Sequence, residues 1–170
     1  MAFSMHAQIQ IQLPKNQKAN KTDVTRTKEG LLLSWPLKNG SIAELNLNFD
    51  NDKPLFSELS ILDSGKRTSI AESADPVFLL NEGSRTLKPE NGWTIFFDKV
   101  HTRPYKSHLL KLEKKSVEVS KNANRTVVSI SEITSPSFSG KLELTIYNGI
   151  PLFNIAAVIS TDENAKAILY

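Results

Sequence analysis

Apolar and polar residues alternate with a period of two along much of this chain, which is the pattern of β-strands that bury one face. The pattern is clearest at 140–147, where leucine or isoleucine stands at every second position and lysine, glutamate and threonine stand between them. Short turns rich in Asn, Gly and Ser separate such segments. The C-terminal part therefore predicts five strands, at 108–113, 116–120, 125–132, 140–147 and 151–160.

The preceding part of the chain carries further strand patterns of the same kind. Asn39-Gly40 predicts a tight hairpin, because both residues tolerate positive φ. Segment 14–30 is rich in Lys, Asn and Thr with almost nothing to bury, so we predict a mobile loop or linker there. Short helical turns are predicted only at 68–73 and 161–166. The strands predicted before residue 100 are 8–13, 31–35, 42–49, 55–62, 77–80 and 93–97.

About ten strands at regular spacing, with almost no helix, predict an all-β fold, an antiparallel β-sandwich. A chain of 170 residues fits one such domain. We place the domain at 31–170, after an N-terminal strand and polar linker at 8–30. The apolar residues 167–170 have the pattern of the first residues of a further strand. We therefore expect a sandwich that is incomplete at its C-terminus and belongs to a longer protein.

The composition narrows the class of protein further. The net charge of +3 comes from 21 basic and 18 acidic residues spread along the chain, which does not make a nucleic-acid surface despite a pI near 9.1. No segment approaches the roughly 18 consecutive apolar residues of a membrane helix. The absence of cysteine excludes disulfides, thiolate zinc sites and cysteine nucleophiles. We expect no nucleic-acid partner and no membrane span.

Residues 1–7 resemble the end of a secretory signal peptide, with Ala7 as the small residue before a cleavage point. The basic start and the apolar run of a complete signal are absent. The alternatives are a leader whose beginning is missing and a chance likeness, and we favour the first. The prediction is an exported protein, secreted or periplasmic.

Residues 138–152 form a hairpin pattern closed by Asn148-Gly149, and the pattern continues through 159–162 to 168–170. It resembles the long antiparallel hairpins of galactose-mutarotase-like β-sandwiches, the supersandwich domains at the front of many glycoside hydrolases and polysaccharide lyases. The resemblance extends over 31–170 and implies a supersandwich-like fold in a carbohydrate context. It implies either an accessory domain packed on a catalytic domain of the same protein, or a domain that lends residues to a sugar cleft.

Aromatic, basic and histidine side chains concentrate at 93–108, where chemistry or recognition is most plausible. If the segment is extended, His101, Arg103 and Tyr105 share one face with Lys99. Such a row could hydrogen-bond sugar hydroxyls, and the guanidinium could bind a uronate carboxylate through two hydrogen bonds. We favour the alternative of a solvated edge strand, since Pro104 cannot donate a hydrogen bond to a central ladder.

The two tryptophans are the other candidate sugar contacts, because an exposed indole can stack on a pyranose ring. Trp93 alternates with Ile95 and Phe97, a core pattern. Trp35 stands just before Pro36 and a turn, so it is the better candidate for exposure. Core packing is the interpretation that we favour for both.

Metal and cofactor motifs receive little support. Residues 50–52 (Asp-Asn-Asp) resemble the opening of a calcium loop, but Lys53 and Pro54 follow, and Ile61 stands where a bidentate glutamate belongs. A turn explains these residues better. His101 and His108 are seven positions apart with no carboxylate at metal spacing. We expect no metal and no cofactor.

Three functions remain open after these observations. The first, which we prefer, is a non-catalytic β-sandwich domain of an exported carbohydrate-processing protein, which contacts a polysaccharide or oligosaccharide or packs on a catalytic domain. The second is a mutarotase-like epimerase, or a component of a polysaccharide lyase or hydrolase, that uses His101 or His108 with Arg103 and Tyr105. Mutarotases use a histidine acid and a glutamate base, and no matching motif surrounds either histidine. The third is a structural or adhesin-like interaction module.

Overall fold

The protein is all-β in the part of the chain that the computed structural model describes, residues 9–14, 20–84 and 104–169. No residue in these ranges is helical. Their strands are β1 (Gln10–Gln12), β2 (Asp23–Arg26), β3 (Gly30–Pro36), β4 (Ile42–Asn48), β5 (Phe56–Asp63), β6 (Lys66–Ala74), β7 (Leu79–Ser84), β8 (Tyr105–Leu109), β9 (Lys111–Lys121), β10 (Arg125–Thr134), β11 (Ser139–Tyr147), β12 (Phe153–Ser160) and β13 (Lys166–Ile168).

The strands form three sheets. Sheet I has the order β1-β9-β10-β11-β12, and sheet II has the order β2-β3-β4-β5-β6. Sheet III is smaller, with the order β13-β7-β8. Every pairing between these strands is antiparallel except that of β1 with β9, which is parallel. The predicted antiparallel β-sandwich is confirmed, since sheets I and II share one core.

That core is made by the inward positions of the period-two pattern. In β11, Leu142, Leu144 and Ile146 are buried and the residues between them are half-buried. Each buried leucine or isoleucine contributes about 1.5–3 kcal/mol relative to an exposed one. The core residues are Leu31, Leu33, Trp35, Ala43, Leu45, Leu47, Phe49, Leu55 and Phe56 from the side of sheet II, and Val117, Val119, Val128, Ile130, Leu142, Leu144 and Ile146 from sheet I.

Tight turns close the hairpins where glycine permits the required backbone. The β3–β4 turn has Gly40 at a φ of 88°, and the amide of Leu37 donates to the carbonyl of Ser41. This confirms the hairpin predicted at Asn39-Gly40. In the β11–β12 connection Gly149 has a φ of 76°, again the left-handed region that glycine adopts without strain.

The linker predicted at 14–30 is wrong for its second half. β2 pairs with β3 through residues 23–26, and Thr22 is buried. Val24 packs against the core, and hydrogen bonds also fix this segment. The side-chain amide of Asn20 donates to the carbonyls of Asn122 (2.7 Å) and Arg125 (3.0 Å), and Lys121 donates to the carbonyl of Thr22 (2.6 Å).

The predicted helical turns are also wrong. Residues 68–73 belong to β6, an edge strand that is exposed over nearly its whole length, so it carries no period-two pattern. Pairing with β5 holds it in place, and Arg67 binds Glu58 on β5 (3.4 Å) and Glu44 on β4 (2.5 Å). Residues 161–166 form a turn that leads into β13, not a helix. The predicted strand 93–97 and the leader at 1–7 lie outside the described residues.

None of the described residues forms a helix long and apolar enough to cross a membrane.

Candidate functional site

Of the predicted His-Arg-Tyr row, the structure describes only Tyr105, because His101 and Arg103 lie outside the described residues. Tyr105 begins β8 and its side chain is 56% exposed. Its register partner on β7 is Gly83, and Leu169 packs where a Cβ of that glycine would lie. Because more than half of Tyr105 is exposed, its side chain lies on the solvent-facing side of sheet III.

The core packing that we favoured for Trp35 is confirmed, and its alternative role as an exposed sugar contact is wrong. Its side chain is fully buried between sheets I and II, and its indole nitrogen donates to the carbonyl of Ile150 at 2.8 Å. Trp35 is an inward residue of β3, level with Leu31 and Leu33 in the alternating pattern. A sugar ring cannot reach a buried indole, so Trp35 is a core residue, and Trp93 lies outside the described residues.

The outer face of sheet III is apolar at one end. Leu79 on β7 and Leu109 on β8 are register partners, each 65% exposed. Beside them the hydroxyl of Ser107 donates to Asn81 at 2.8 Å. Soluble monomers rarely expose clustered large apolar side chains without a reason. This surface, which we call the sheet III face, consists of Val77, Leu79, Asn81, Tyr105, Ser107 and Leu109.

A concavity lies where β1 meets two loops of sheet II. It is an open cleft of about 910 Å³. The cleft is lined by Ile9 and Ile11 beside β1, by the β2–β3 turn (26–30), by the β4–β5 loop (49–53), and by Lys114 and Lys115 of β9. Ligand sites are usually concave, about 300–1,000 Å³ in volume, and apolar with a few convergent polar groups.

Positive charge exceeds negative charge around the cleft. An ion pair joins Lys53 to Glu29 (3.7 Å), and Asn48 donates to the same glutamate at 3.0 Å. Hydrogen bonds to Glu132 and Glu113 raise the pKa of Lys115. The basic lining residues are Arg26, Lys28, Lys53, Lys114 and Lys115, and the acidic ones are Glu29, Asp50 and Asp52.

Lys114 closes the inner wall of the cleft. Its side chain is buried, and its ammonium donates to three backbone carbonyls of the β4–β5 loop: Asn48 (3.2 Å), Asp50 (2.5 Å) and Lys53 (2.6 Å). Burial lowers the pKa of Lys114, and the negative charges of Asp75, Asp50 and Asp52 oppose that change. The Asp50–Asp52 turn is confirmed, because the amide of Asp52 donates to the carboxylate of Asp50 at 3.0 Å.

A second polar cluster joins sheet III to sheet I. Glu82 of β7 is buried and hydrogen-bonds Ser135 in the β10–β11 connection. Burial raises the pKa of Glu82, but hydrogen bonds from Ser135 and Ser137 and the charge of His108 outweigh it, so the pKa lies below 4.5. The carboxylate is therefore ionised at neutral pH.

Neither cluster resembles a metal centre. Across 9–14, 20–84 and 104–169, no three histidine, aspartate or glutamate side chains converge as metal ligands do. The carboxylate of Asp50 accepts the amide of Asp52, and that of Asp75 accepts the amide of Leu55 at 2.6 Å. Through these hydrogen bonds, both carboxylates stabilise the backbone of loops.

Sequence reasoning missed Lys114 and Glu82. Each is one charged residue among many in a strand, and its partners lie 53 or more positions away in the chain. The one available signal for Lys114 was the broken alternation in β9, where a lysine occupies an inward position.

No protein-family model matches this chain, and no curated protein or solved structure matches it.

Proposed function

We propose that this chain is a non-catalytic β-sandwich domain of an exported carbohydrate-processing protein, and that it contacts a polysaccharide or oligosaccharide through the cleft beside β1. The observation that carries the proposal is the cleft, in which cations and carboxylates converge over an apolar floor. Sugar hydroxyls are both donors and acceptors, so they suit a lining that offers both kinds of partner.

The two parts of the cleft have different tasks in this proposal. Ile9 and Ile11, which are half-buried, supply apolar surface for the C–H faces of a sugar ring. Arg26 and Lys28 are exposed on the β2–β3 turn, where their N–H groups can reach hydroxyls or a uronate carboxylate. The turn itself is fixed, because Thr27 and Gly30 hydrogen-bond each other twice at 3.0 Å.

The sheet III face supports the second element of the proposal, packing on a catalytic domain of the same protein. Leu79 and Leu109 lie side by side at 65% exposure, with Val77 at 74% and Tyr105 at 56%. Interfaces between domains are rich in aromatic and apolar residues at their centres and depleted of charge. A neighbouring domain on this face would leave the cleft, which no residue of sheet III lines, open to a glycan.

We expect the double substitution Arg26→Ala and Lys28→Ala to weaken glycan binding at least about tenfold, since each charge-assisted hydrogen bond contributes about 1.5–3 kcal/mol. Affinity electrophoresis in gels containing different polysaccharides would first identify a retained glycan. Titration calorimetry with an oligosaccharide of that glycan would then give the dissociation constants.

The matched control is Lys66→Ala with Lys106→Ala, which removes two exposed positive charges from β6 and β8, away from the cleft. It should bind like the unsubstituted chain. If the two double variants weakened glycan binding equally, the effect would come from the net charge and not from the cleft. If no polysaccharide retarded the unsubstituted chain, the proposal would be contradicted.

A second candidate function is a mutarotase-like epimerase, and one observation favours it. His108 on β8 pairs with Leu80 on β7, two residues before Glu82. The carboxylate of Glu82 and the imidazole of His108 therefore lie on the same, inner side of sheet III. A histidine acid with a glutamate base is the pair that this function requires. The lowered pKa and the burial of Glu82 are unfavourable for a general base, which works best with a pKa near the operating pH.

Glu82→Gln separates the two functions. If Glu82 has only a structural role, its lowered pKa means that the ionised carboxylate stabilises the folded state above pH 4.5. This stabilisation is lost as the pH falls through the pKa that Glu82 has in the folded state. We expect the substitution to cost about 1–2 kcal/mol at neutral pH and to reduce the loss of stability in acid. Thermal denaturation at a series of pH values measures both effects.

Polarimetry of a freshly dissolved aldohexose provides the enzymatic readout for the same variant. The non-catalytic proposal predicts no acceleration of mutarotation by either protein. An acceleration that disappears in Glu82→Gln and in His108→Ala would establish the second candidate instead.

A further inference from the structure

The β4–β5 loop has the geometry of a binding site for a primary ammonium group. Three backbone carbonyls, of Asn48, Asp50 and Lys53, converge on one point at 3.2, 2.5 and 2.6 Å. An ammonium has three N–H donors and no acceptor, so three carbonyls satisfy it completely. In this fold the group at that point is the side chain of Lys114, which reaches it from sheet I.

We propose that this loop is an ammonium receptor, and that Lys114 is its built-in ligand, which holds the inner wall of the cleft in shape. Lysine is almost never fully buried unless its charge is paired, and Lys114 is only 4% exposed. Its backbone amide also donates to the side chain of Asn51 at 2.8 Å, so main chain and side chain hold the same loop.

Hydrogen bonds within the loop also contribute to its shape. The side chain of Asn48 accepts the amide of Asp50 at 2.8 Å, and Asp50 accepts the amides of Asp52 and Lys53 through its carboxylate and its carbonyl. The amide of Leu55 is bound by Asp75, which carries negative charge close to the site. The carbonyls therefore point at one centre because other hydrogen bonds turn them there.

The carbonyl cage suits an ammonium better than a divalent metal ion. The ligating atoms are neutral carbonyl oxygens, and the nearby carboxylates of Asp50 and Asp75 are bound to backbone amides. A divalent cation would need several of those carboxylates as direct ligands. The tetrahedral, three-donor head of a primary amine matches the three oxygens.

Lys114→Ala with chemical rescue tests the proposal. The substitution removes three carbons and the ammonium, which together make one propylammonium ion. We expect the melting temperature to fall by roughly 10 °C, because three buried acceptors lose their donor. Propylammonium should restore at least half of that loss, whereas tetramethylammonium at equal ionic strength, which has no N–H, should restore none.

Equal responses to the two ions, or no response to either, would overturn the proposal, because a carbonyl cage that recognises N–H donors must prefer propylammonium to tetramethylammonium. Lys115→Ala is the matched variant, because the neighbouring side chain is 57% exposed and lies outside the carbonyl cage. Its melting temperature should respond to neither ion. These readouts need no glycan, so their outcome is separate from that of the proposed function.

A measurement on the unsubstituted chain covers the case in which Lys114→Ala does not fold. Acetylation of lysines, followed by mass spectrometry, should modify Lys114 at least about tenfold more slowly than Lys115, because a caged ammonium reacts only when the loop opens. Equal rates at the two neighbouring lysines would contradict a bound ammonium.

Discussion

Trp35→Ala should lower the free energy of unfolding by about 3–5 kcal/mol, the range for removal of a fully buried aromatic side chain. The indole is inaccessible to solvent and belongs to the core that sheets I and II share. The hydrogen bond to the carbonyl of Ile150 adds to the loss, because it joins β3 to the β11–β12 connection. Urea denaturation followed by far-UV circular dichroism measures the change.

Two further variants divide this effect into its parts. Trp35→Phe keeps a ring and loses only the N–H donor, so we expect a loss of about 1 kcal/mol. Leu152→Ala removes a side chain that is 71% exposed and should change stability by less than about 0.5 kcal/mol. If Trp35→Ala cost no more than Leu152→Ala, the indole would not be part of the core.

Gly140→Ala should be strongly destabilising for so small a substitution, with an expected loss of about 3 kcal/mol. A Cβ at this position would lie 2.0 Å from the carbonyl oxygen of Val158 and 2.9 Å from the Cα of Ile159. Both are backbone atoms of β12, which pairs with β11 at this point, so the strand must move. Thermal and urea denaturation would both report the loss.

Gly83→Ala is the control, because its Cβ would meet a side chain instead of a strand. The nearest atom is Cδ1 of Leu169, at 2.8 Å, which can rotate away. We expect a change within about 1 kcal/mol. Similar losses at the two glycines would show that the strands β11 and β12 are not held as close together as described.

The sequence was sufficient for the sandwich because the physical cause of its strands is local. Alternation of leucine and isoleucine with polar residues places one face of β11 in the core, and this can be read without knowing what lies opposite. The prediction failed at β2 and β6 for the same reason. β2 contributes only Val24 to the core, and β6 is exposed over nearly its whole length. Their further contacts involve residues that only the fold brings near: Asn20, just before β2, binds Asn122, and Arg67 of β6 binds Glu44.

The candidate site was less predictable than the fold. The ammonium of Lys114 binds backbone carbonyls, which every residue possesses, so the sequence of residues 48–53 gives no sign of their arrangement. The cleft combines β1, two loops of sheet II and one strand of sheet I, four segments that are distant in the chain. Trp35 remained a ligand candidate beside its favoured core interpretation, because a following proline and turn do not show what covers its indole.

The parallel pairing of β1 with β9 has a consequence for how the molecule assembles. Sheet II joins consecutive hairpins between residues 23 and 74, so each of its strands finds its partner nearby. Sheet I instead unites residue 10 with residue 116, across a loop of about a hundred residues whose closure entropy must be overcome first. Contacts this remote slow folding. The floor of the cleft, which β1 helps to form, is therefore expected to be among the last parts of the domain to take shape during synthesis.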